Sequence, residues 1–364
     1  MGVMSDRPLV SVLTAVYNSE AYLASCIDSV LAQTYSSWEY IVVDNASTDA
    51  TPAILRDYAA REPRLRVVRN ARTVPVIENH NVATRQMSPE SRWCKFVSAD
   101  DALFPECLER MVGLAQAHPS VGLVSAYQLC GERVTLTGLP YPSPVTAGHR
   151  AARAGLLGFL CVFGPPTAHM MRADLVRARE TFYDESNLHA DEAACYEVLK
   201  SADLGFVHQV LTYARVHRDS LTVSVARRLN TYLLGHLRIL LAYGPVYLSP
   251  GEYGRVLEER LELYYKFLAR ALVAADRDEI WRYHTAGLRE LGLPLSRRRL
   301  VRAMLQEIGR AALRPGTSLR QLARLVRPRT DDDVSWRHWW APTGFEAVKS
   351  VPVNSVPVSD RRAA

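Results

Sequence analysis

The stretch that decides the fold reads VSVLTAVYN at residues 10–18 and YIVVD at residues 40–44. Leu9–Val16 is a short apolar run rich in β-branched residues, which is typical of a buried parallel strand. A helix face follows it, with apolar side chains at Leu23, Cys26, Ile27, Val30 and Leu31. Tyr40–Val43 then predicts a second strand, so the side-chain period changes from strand to helix and back within 35 or so residues.

The same alternation continues downstream. Thr51 followed by Pro52 predicts a helix with Thr51 as N-cap and proline at the first helical position. Strands are predicted over Leu65–Val68 and Cys94–Val97, with a helix over Pro75–Met87 between them. This pattern favours a parallel α/β sheet. Because the crossovers are right-handed, the carboxyl ends of the strands share one edge, and ligands bind in the crevice outside it.

The second half of the chain changes in character. A helix over His189–Leu199 and a strand over Phe206–Val216 are predicted, and from about Ser224 the pattern becomes long, helical and rich in Leu and Arg. We therefore expect an α/β domain over residues 1–224, a helical region over 225–330 and a tail over 331–364 that ends in a Pro/Val/Ser segment.

Composition limits the class of protein. The chain has 364 residues, 48% hydrophobic and 23% charged, as expected for a packed globular protein. No window approaches the roughly 20 apolar residues of a membrane span. The six cysteines form no CxxC pair, which argues against a zinc site or a disulfide framework. A cytoplasmic location is the expectation.

Positive charge is concentrated near the C-terminus. The net charge is +6, and Arg297–Arg329 contains ten arginines against one acid, Glu307. Such a stretch is a solvated helical face or a surface for an anionic partner. Leu295–Val326 also has aliphatic residues at helical spacing, which predicts peripheral contact with the inner face of a membrane. No nucleic-acid partner is expected, and a homo-oligomer is left open.

Two adjacent acids, Asp100 and Asp101, follow the apolar end of a predicted strand. Alone, such a pair is more often a helix cap and a first-turn acid. At the carboxyl edge of a sheet, a divalent cation relieves their repulsion. Mg²⁺ is typically held by one or two carboxylates together with substrate phosphates.

Several segments together resemble the beginning of a family 2 glycosyltransferase. They are Val10–Asn18, Ser29–Tyr35, Val42–Asp49 and Lys95–Pro105, with Glu78–Asn81 similar to a variant of some bacterial members. The resemblance covers about residues 8–222. It implies a GT-A fold, which is a Rossmann-like mixed α/β sheet flanked by helices. It also implies an inverting mechanism, a nucleotide diphosphate-sugar donor (most commonly a UDP-sugar) and Mn²⁺ or Mg²⁺ as cofactor.

The resemblance also assigns residues. The implied donor-binding residues are Val16, Tyr17, Glu20, Asp44, Asn79, Ser98, Asp100, Arg215 and His217, and the implied metal ligands are Asp100, Asp101 and His217. One departure is that Ser98 occupies the first position of the aspartate-any-aspartate motif, where a neutral hydroxyl weakens metal binding. Arg215 and His217 are predicted to share one face of the last strand.

Catalysis and acceptor binding are assigned to the second half of the domain. Asp191 resembles the family's general base at a helix start, with Glu192 as the reserve candidate; the competing interpretation is an acid that is favoured there by the helix dipole. Gly164, Thr167 and His169 resemble the acceptor-side wall. The implied acceptor is a saccharide, lipid-linked or other hydroxyl compound in bacterial polysaccharide or glycolipid assembly.

The loop after the first strand also bears on other classes of protein. A nicotinamide dehydrogenase is disfavoured because the Gly-rich turn after the first strand is absent, with Ala15–Asn18 in its place. A nucleotidyltransferase would require a Gly-rich basic loop at the same point. The third alternative is a non-catalytic nucleotide-sugar-binding module. It is favoured if Asp191 points away from the crevice, or if the protein binds nucleotide without turnover.

Overall fold

The computed structural model of the chain describes residues 7–313 apart from 138, 161–162, 218–219, 221–224, 227 and 273–276. These residues form two compact units, the first ending at Val216 and the second beginning at His217. The end of the predicted helical region (314–330) and the predicted tail (331–364) lie outside the described residues.

The first unit alternates strands and helices. Its strands are β1 (Val10–Val16), β2 (Trp38–Asp44), β3 (Leu65–Arg69), β4 (Trp93–Phe96), β5 (Ala102–Leu103), β6 (Val121–Cys130), β7 (Arg133–Thr135), β8 (Val145–Thr146), β9 (His169–Arg172) and β10 (Asp203–Ala214). Its helices are α1 (Leu23–Leu31), α2 (Thr51–Arg61), α3 (Val76–Arg85), α4 (Cys107–Ala117), α5 (Gly148–Leu156), α6 (Ala173–Arg177) and α7 (Ala190–Val198), with a 3₁₀ turn at Pro166–Ala168.

All of these strands belong to one mixed sheet. Eight follow the order β3-β2-β1-β4-β9-β6-β10-β5, while β7 pairs with β6 and β8 with β10. The strands β3, β2, β1 and β4 are parallel, as the sequence pattern predicts. β9 runs antiparallel to both β4 and β6, which makes the sheet mixed.

The strands at the centre of the sheet, β1, β4 and β6, have no exposed residues. Every residue of β1 except Ala15 is buried, because helices cover the sheet. The predicted face of α1 is confirmed, since Leu23, Cys26, Ile27 and Val30 are all buried in the same hydrophobic cluster as β1. Leu108 and Met111 of α4 belong to that cluster too.

Two local predictions were wrong. Thr51 is the first residue of α2 and not its N-cap, and its hydroxyl accepts a hydrogen bond from the Ser19 N–H at 2.8 Å. That bond ties the start of α2 to the loop after β1. β10 ends at Ala214, so Arg215 and His217 are not strand neighbours on a shared face.

The second unit is helical, as the sequence pattern predicts. Its long helices are α8 (Thr231–Tyr247), α9 (Pro250–Ala271), α10 (Arg277–Glu290) and α11 (Arg297–Leu313). Ser249 and Glu252 form a capping box at the start of α9. Among the residues that the structure describes, no helix combines the length and apolar character that a bilayer crossing requires.

Candidate active site

The loops after β1 and β2 meet at the carboxyl edge of the sheet. The Asn18 N–H donates to the Ser47 hydroxyl at 2.9 Å, and the Thr48 N–H donates to Asn18 Oδ1 at 2.9 Å. Asn18 and Ala46 have positive φ angles of 44° and 56°. Left-handed backbone is unfavourable for a non-glycine residue such as Ala46, and such residues cluster at functional sites.

Two predicted donor-site residues in the first loop have different surroundings. Tyr17 is 49% exposed, so its ring is available to a flat ligand. The Glu20 carboxylate accepts a hydrogen bond from the Ala50 N–H at 2.8 Å. Glu20 thus holds the two loops together, while Val16 is buried under them.

Asp44 is buried at the end of β2 and already has protein partners. Its Oδ1 accepts from the Ser47 N–H at 2.9 Å, and its Oδ2 forms an ion pair with Arg69. Arg69 also donates to the Ser47 carbonyl at 3.0 Å and keeps 49% of its side chain exposed. Arg69 is not among the residues predicted from the sequence, although it ends a strand at the same sheet edge and lies in register with Asp44.

Asn79 lies in α3 and positions the segment that follows β3. Its Oδ1 accepts a hydrogen bond from Asn70 Nδ2 at 2.9 Å, and the same Nδ2 lies 2.9 Å from Asn45 Oδ1. Asn45 in turn accepts from the Val74 N–H at 2.9 Å. Because Asn79 is itself buried, it fixes the segment 70–74 beside the β2 loop through Asn70.

The two adjacent acids have different environments. Asp100 is partly exposed, and its carbonyl accepts from Arg215 Nε at 3.0 Å. Asp101 is buried; its Oδ2 accepts from the Thr167 hydroxyl at 2.5 Å and its Oδ1 from the Arg215 N–H at 3.0 Å. Burial, and then the charge of Asp100, raise the pKa of Asp101. These two hydrogen bonds and the burial favour a positioning role for Asp101, and its predicted role as a metal ligand stays a prediction.

Thr167 connects this acidic loop to the 3₁₀ turn. Its hydroxyl accepts from the Ser98 N–H at 3.0 Å and donates to Asp101, and the residue is fully buried. Below it, the buried Lys95 ammonium donates to the carbonyls of Thr167 and His169. Burial lowers the pKa of Lys95.

The predicted acceptor-side residues are therefore mostly internal. His169 is buried, and its Nδ1 lies 3.2 Å from the Pro166 carbonyl. Burial, assisted by Lys95, lowers its pKa to about 3, so the imidazole is neutral. A Cβ at Gly164 would come within 3.0 Å of Leu136 and Ala168. Thr167 and His169 are buried and Gly164 packs closely on its neighbours, so these residues position the turn, and their acceptor-side role stays a prediction.

Arg215 is held beside the acidic loop. Its guanidinium carbon lies 5.0 Å from the ring centroid of Tyr22 and 5.5 Å from that of Tyr213, within cation–π range. With its Nε bond to the Asp100 carbonyl, the side chain has a defined position. His217 is the first residue of the second unit and is partly buried.

Asp191 and Glu192 lie in the first turn of α7 and are partly buried. Burial raises the pKa of Asp191 to about 7; the hydrogen bond from the Glu192 N–H lowers it and the Glu192 charge raises it. The Asp191 Oδ1 to Glu192 N distance is 2.9 Å. A carboxylate with a pKa near neutrality is suited to take a proton in a reaction.

Asn81 was missed by the sequence analysis as a functional residue. It is fully buried; its Nδ2 donates to the Tyr183 carbonyl at 2.8 Å and to Glu185 Oε1 at 3.0 Å, and its Oδ1 accepts from the Tyr183 N–H at 2.8 Å. Charge on Asp191 is one cause that raises the pKa of Tyr183, after burial and Cys94. Asn81 thus fixes the segment that leads into α7. No local signal marks this contact, which spans 102 residues.

The residues present suit a hard divalent cation bound jointly with a substrate. Within the part of the chain that the structure describes, no three His, Cys, Asp or Glu side chains group into a self-sufficient metal site. Mg²⁺ and similar ions rarely need one, since one carboxylate, phosphate oxygens and water can complete the coordination shell. Asp100 can supply that carboxylate.

The chain is similar in sequence to known glycosyltransferases. Residues 11–179 match the model of Glycosyl transferase family 2. The putative glycosyltransferase EpsE of Bacillus subtilis is 28% identical over 255 residues, which is 65% of this chain and 88% of EpsE. The putative teichuronic acid biosynthesis glycosyltransferase TuaG of the same organism is 30% identical over 126 residues, which is 35% of this chain and 49% of TuaG.

Solved structures share the fold at low sequence identity. Residues 1–349 of S. aureus TarS superpose with a TM-score of 0.60 at 16% identity, covering 85% of this chain and 92% of that one. The mannosyltransferase PcManGT of Pyrobaculum calidifontis, in complex with GDP-Man and Mn²⁺, gives a TM-score of 0.53 at 17% identity over 88% and 86% of the two chains. The predicted GT-A fold is confirmed by these neighbours.

Proposed function

This chain belongs to glycosyl transferase family 2 through residues 11–179 and is a glycosyltransferase; from that premise we propose that it transfers a sugar, with inversion, from a UDP-sugar to an acceptor hydroxyl. The observation that carries the proposal is Asp191, a partly buried carboxyl at a helix start whose pKa is raised to about 7. It belongs to the same unit as the acidic loop at the sheet edge.

On the donor side, the exposed ring of Tyr17 offers a stacking surface for the base. The ion pair between buried Asp44 and half-exposed Arg69 lies at the ends of β2 and β3 and holds the loop 45–47 in place. Arg69 keeps half of its side chain exposed, so a guanidinium donor is available to the nucleotide. We assign Asp44 to the shape of the nucleotide pocket and Arg69 to its surface.

Asp100 is the residue that would hold Mn²⁺ or Mg²⁺, together with the oxygens of the donor diphosphate. Such an ion, when bound, neutralises charge on the leaving diphosphate. Asp101, whose two oxygens are engaged with Thr167 and Arg215, has a positioning role in this proposal. Thr167 fixes Ser98 through the Ser98 N–H, and the Thr167 hydroxyl also lies 3.3 Å from the Ser98 hydroxyl. We assign the Ser98 hydroxyl a further contact with the ribose of the donor.

The transfer itself needs one base and one electrostatic partner for the leaving group. Asp191 accepts the proton of the acceptor hydroxyl as that oxygen attacks the anomeric carbon from the face opposite the diphosphate. The bond from the anomeric carbon to the diphosphate oxygen breaks, and its electron pair leaves with the nucleoside diphosphate. Arg215, held beside Asp100, is the cationic side chain that stabilises this negative charge.

The acceptor class is proposed from the relatives. TuaG is described as a teichuronic acid biosynthesis glycosyltransferase, and a TarS structure contains UDP-GlcNAc. The UDP-GlcNAc complex supports a UDP-sugar donor, and the TuaG name supports a role in polysaccharide assembly. Within that class we propose a saccharide or lipid-linked acceptor. We assign the catalytic domain to residues 1–224, and every residue given a role above lies in the unit that ends at Val216.

The proposal is tested with a panel of UDP- and GDP-sugars, with Mn²⁺, Mg²⁺ or a chelator, by following release of nucleoside diphosphate. Asp100→Ala is expected to lose most metal-dependent binding of the donor, while Asp57→Ala, an exposed acid on α2, serves as the matched control. Equal donor binding by the Asp100 variant, or full activity in a chelator, refutes the metal assignment. In a parallel assay with a nucleoside triphosphate and a sugar 1-phosphate, release of pyrophosphate would indicate a nucleotidyltransferase. Tight binding of the nucleotide-sugar without turnover would indicate a binding module.

A further inference from the structure

Helix α11 carries an apolar strip that faces solvent. Val301, Leu305 and Ile308 are 54%, 65% and 62% exposed, and their spacing of four and three residues places them on one face of the helix. The other side of α11 packs into the second unit through Leu300 and Ala303. The strip therefore contributes nothing to holding the helix in place, and exposed aliphatic groups of this kind mark interaction sites.

Arginines surround the strip. A shallow groove along it is lined by Arg297, Arg298, Val301, Arg302, Leu305 and Gln306. Not every arginine of the helix faces this way. Arg299 instead forms an ion pair with Glu258 of α9, and Glu307 of α11 forms an ion pair with Arg270. In the first turns of α11, Arg299 therefore binds within the second unit, while Arg297, Arg298 and Arg302 flank the apolar strip.

The charge around the strip decides what it can contact. A second copy of this chain would bring the same arginines face to face, which is unfavourable because like charges repel. The chain that follows α11 adds Arg314, Arg320, Arg324, Arg327 and Arg329 before its first acid, Asp331. Trp336, Trp339 and Trp340 come soon after, and tryptophan is enriched at membrane–water interfaces.

We propose that α11 docks on an anionic phospholipid surface. Val301, Leu305 and Ile308 enter the boundary between headgroups and acyl chains, while Arg297, Arg298 and Arg302 contact lipid phosphates. This is the arrangement of an interfacial amphipathic helix, in which apolar burial and attraction to anionic lipid act together. The inference rests on the second unit alone and is independent of the donor chemistry proposed above.

The experiment is co-sedimentation of the full chain with vesicles of phosphatidylcholine alone or mixed with phosphatidylglycerol, over a range of salt concentrations. The wild type is expected to bind only the mixed vesicles, and less as salt rises. The triple variant Arg297→Gln/Arg298→Gln/Arg302→Gln should bind about a hundredfold more weakly, since each arginine near such a surface is worth about a factor of five. Leu305→Gln/Ile308→Gln should also lose binding, by about tenfold or more.

The matched control removes three exposed arginines elsewhere in the same unit. Arg255→Gln/Arg282→Gln/Arg289→Gln has the same change in net charge and should bind the mixed vesicles nearly as the wild type does. Circular dichroism and melting temperature establish that each variant is folded. Equal losses in the control and the α11 triple variant would overturn the proposal, because binding would then follow net charge alone.

Evidence for either of two other occupants of the apolar strip would also overturn the proposal that α11 docks on phospholipid. If the wild type ignores mixed vesicles while a chain ending at Leu313 binds them, the strip belongs to the segment 314–364 of this chain. If the wild type sediments as a dimer that Leu305→Gln/Ile308→Gln converts to a monomer, and neither protein binds vesicles, the strip is an interface between copies. Vesicle binding that persists in Leu305→Gln/Ile308→Gln contradicts the insertion of the strip.

Discussion

At the scale of single residues, Asp191 shows how burial prepares a carboxyl group for proton transfer. An exposed aspartate has a pKa near 3.9 and would be a weak base at neutral pH. In the first turn of α7, burial opposes the charged form and raises the pKa of Asp191 to about 7. The same side chain would be only a helix-start acid if it faced solvent, and its burial is therefore the feature that favours the catalytic interpretation.

The first prediction follows from this pKa. We expect kcat/KM to rise about tenfold per pH unit below pH ~7 and to level off above it, because only ionised Asp191 accepts a proton. Asp191→Asn should lower the rate by about 10²–10⁴-fold at pH 8 with little change in donor affinity. The measurements are initial rates and calorimetric donor binding. If Asp191→Asn is near wild type while Glu192→Gln is inactive, the base is Glu192.

The raised pKa of Asp191 also predicts how the stability of the fold changes with pH. This gives a test of the pKa that does not require enzymatic turnover. Because the folded-state pKa of Asp191 lies above its unfolded value of about 3.9, ionisation of Asp191 destabilises the fold progressively as pH rises from about 4 to about 7. Asp191→Asn carries no such charge. Its melting temperature should exceed that of the wild type by more at pH 8 than at pH 5. A constant difference would show that the group is not desolvated.

At the scale of elements, helix α3 serves two segments through two asparagines. Asn79 holds the donor-side segment 70–74 by way of Asn70, and Asn81 holds both backbone groups of Tyr183 before α7. Both side chains are buried, and they are two residues apart on one helix. A single rigid element thereby fixes parts of the donor pocket and the approach to the proposed base.

The second prediction contrasts these two asparagines. Asn81→Ala removes the partners of a buried N–H and a buried C=O, at a cost of about 1–3 kcal/mol for each. It should lower kcat by about tenfold or more, because a misplacement of about 1 Å at a reacting group has effects of that order or larger. The donor Kd should change little. Asn79→Ala should do the reverse, weakening donor binding more than kcat.

Steady-state kinetics with donor binding measured separately distinguish these outcomes. Asn81→Asp would place a buried carboxylate oxygen against the Tyr183 carbonyl and Glu185 Oε1, so it should lower kcat at least as much as Asn81→Ala. If both alanine variants lose donor affinity and kcat in the same proportion, α3 has only a general structural role. Melting curves show how much of each effect is loss of fold.

At the scale of the whole molecule, the cysteines report on packing. Cys26, Cys94, Cys107, Cys130 and Cys195 are all buried thiols, while Cys161 lies outside the described residues. Burial raises the pKa of Cys26 and of Cys94 to about 12. Because the thiolate is the reactive form, these groups should be unreactive in the folded protein.

The third prediction uses this protection. In a Cys161→Ser background, a thiol reagent such as dithionitrobenzoate should react with the native protein only as fast as the fold opens. All five remaining thiols should react at once in guanidinium chloride. Absorbance at the released thionitrobenzoate band gives the count and the rate. A thiol that reacts rapidly without denaturant would show that the core around it opens locally.

The sequence determined much of this molecule because local patterns carry that information. The change of side-chain period between Leu9 and Val97 gave the alternating strands and helices, and the parallel strands then had to bring their carboxyl ends to one edge. That edge placed Tyr17, Asp44 and Asp100 in the candidate site. Asp191 was found by its resemblance to a family motif.

Only the tertiary structure decided what each polar group does. Asp100 and Asp101 are equivalent in sequence, yet the oxygens of Asp101 are taken by Thr167 and Arg215, 66 and 114 residues away. Asn81 meets its partner at a separation of 102 residues. A side chain's role depends on which donors and acceptors remain available to it and on how far it is removed from water. Both are set by contacts between distant parts of the chain, which no local pattern encodes.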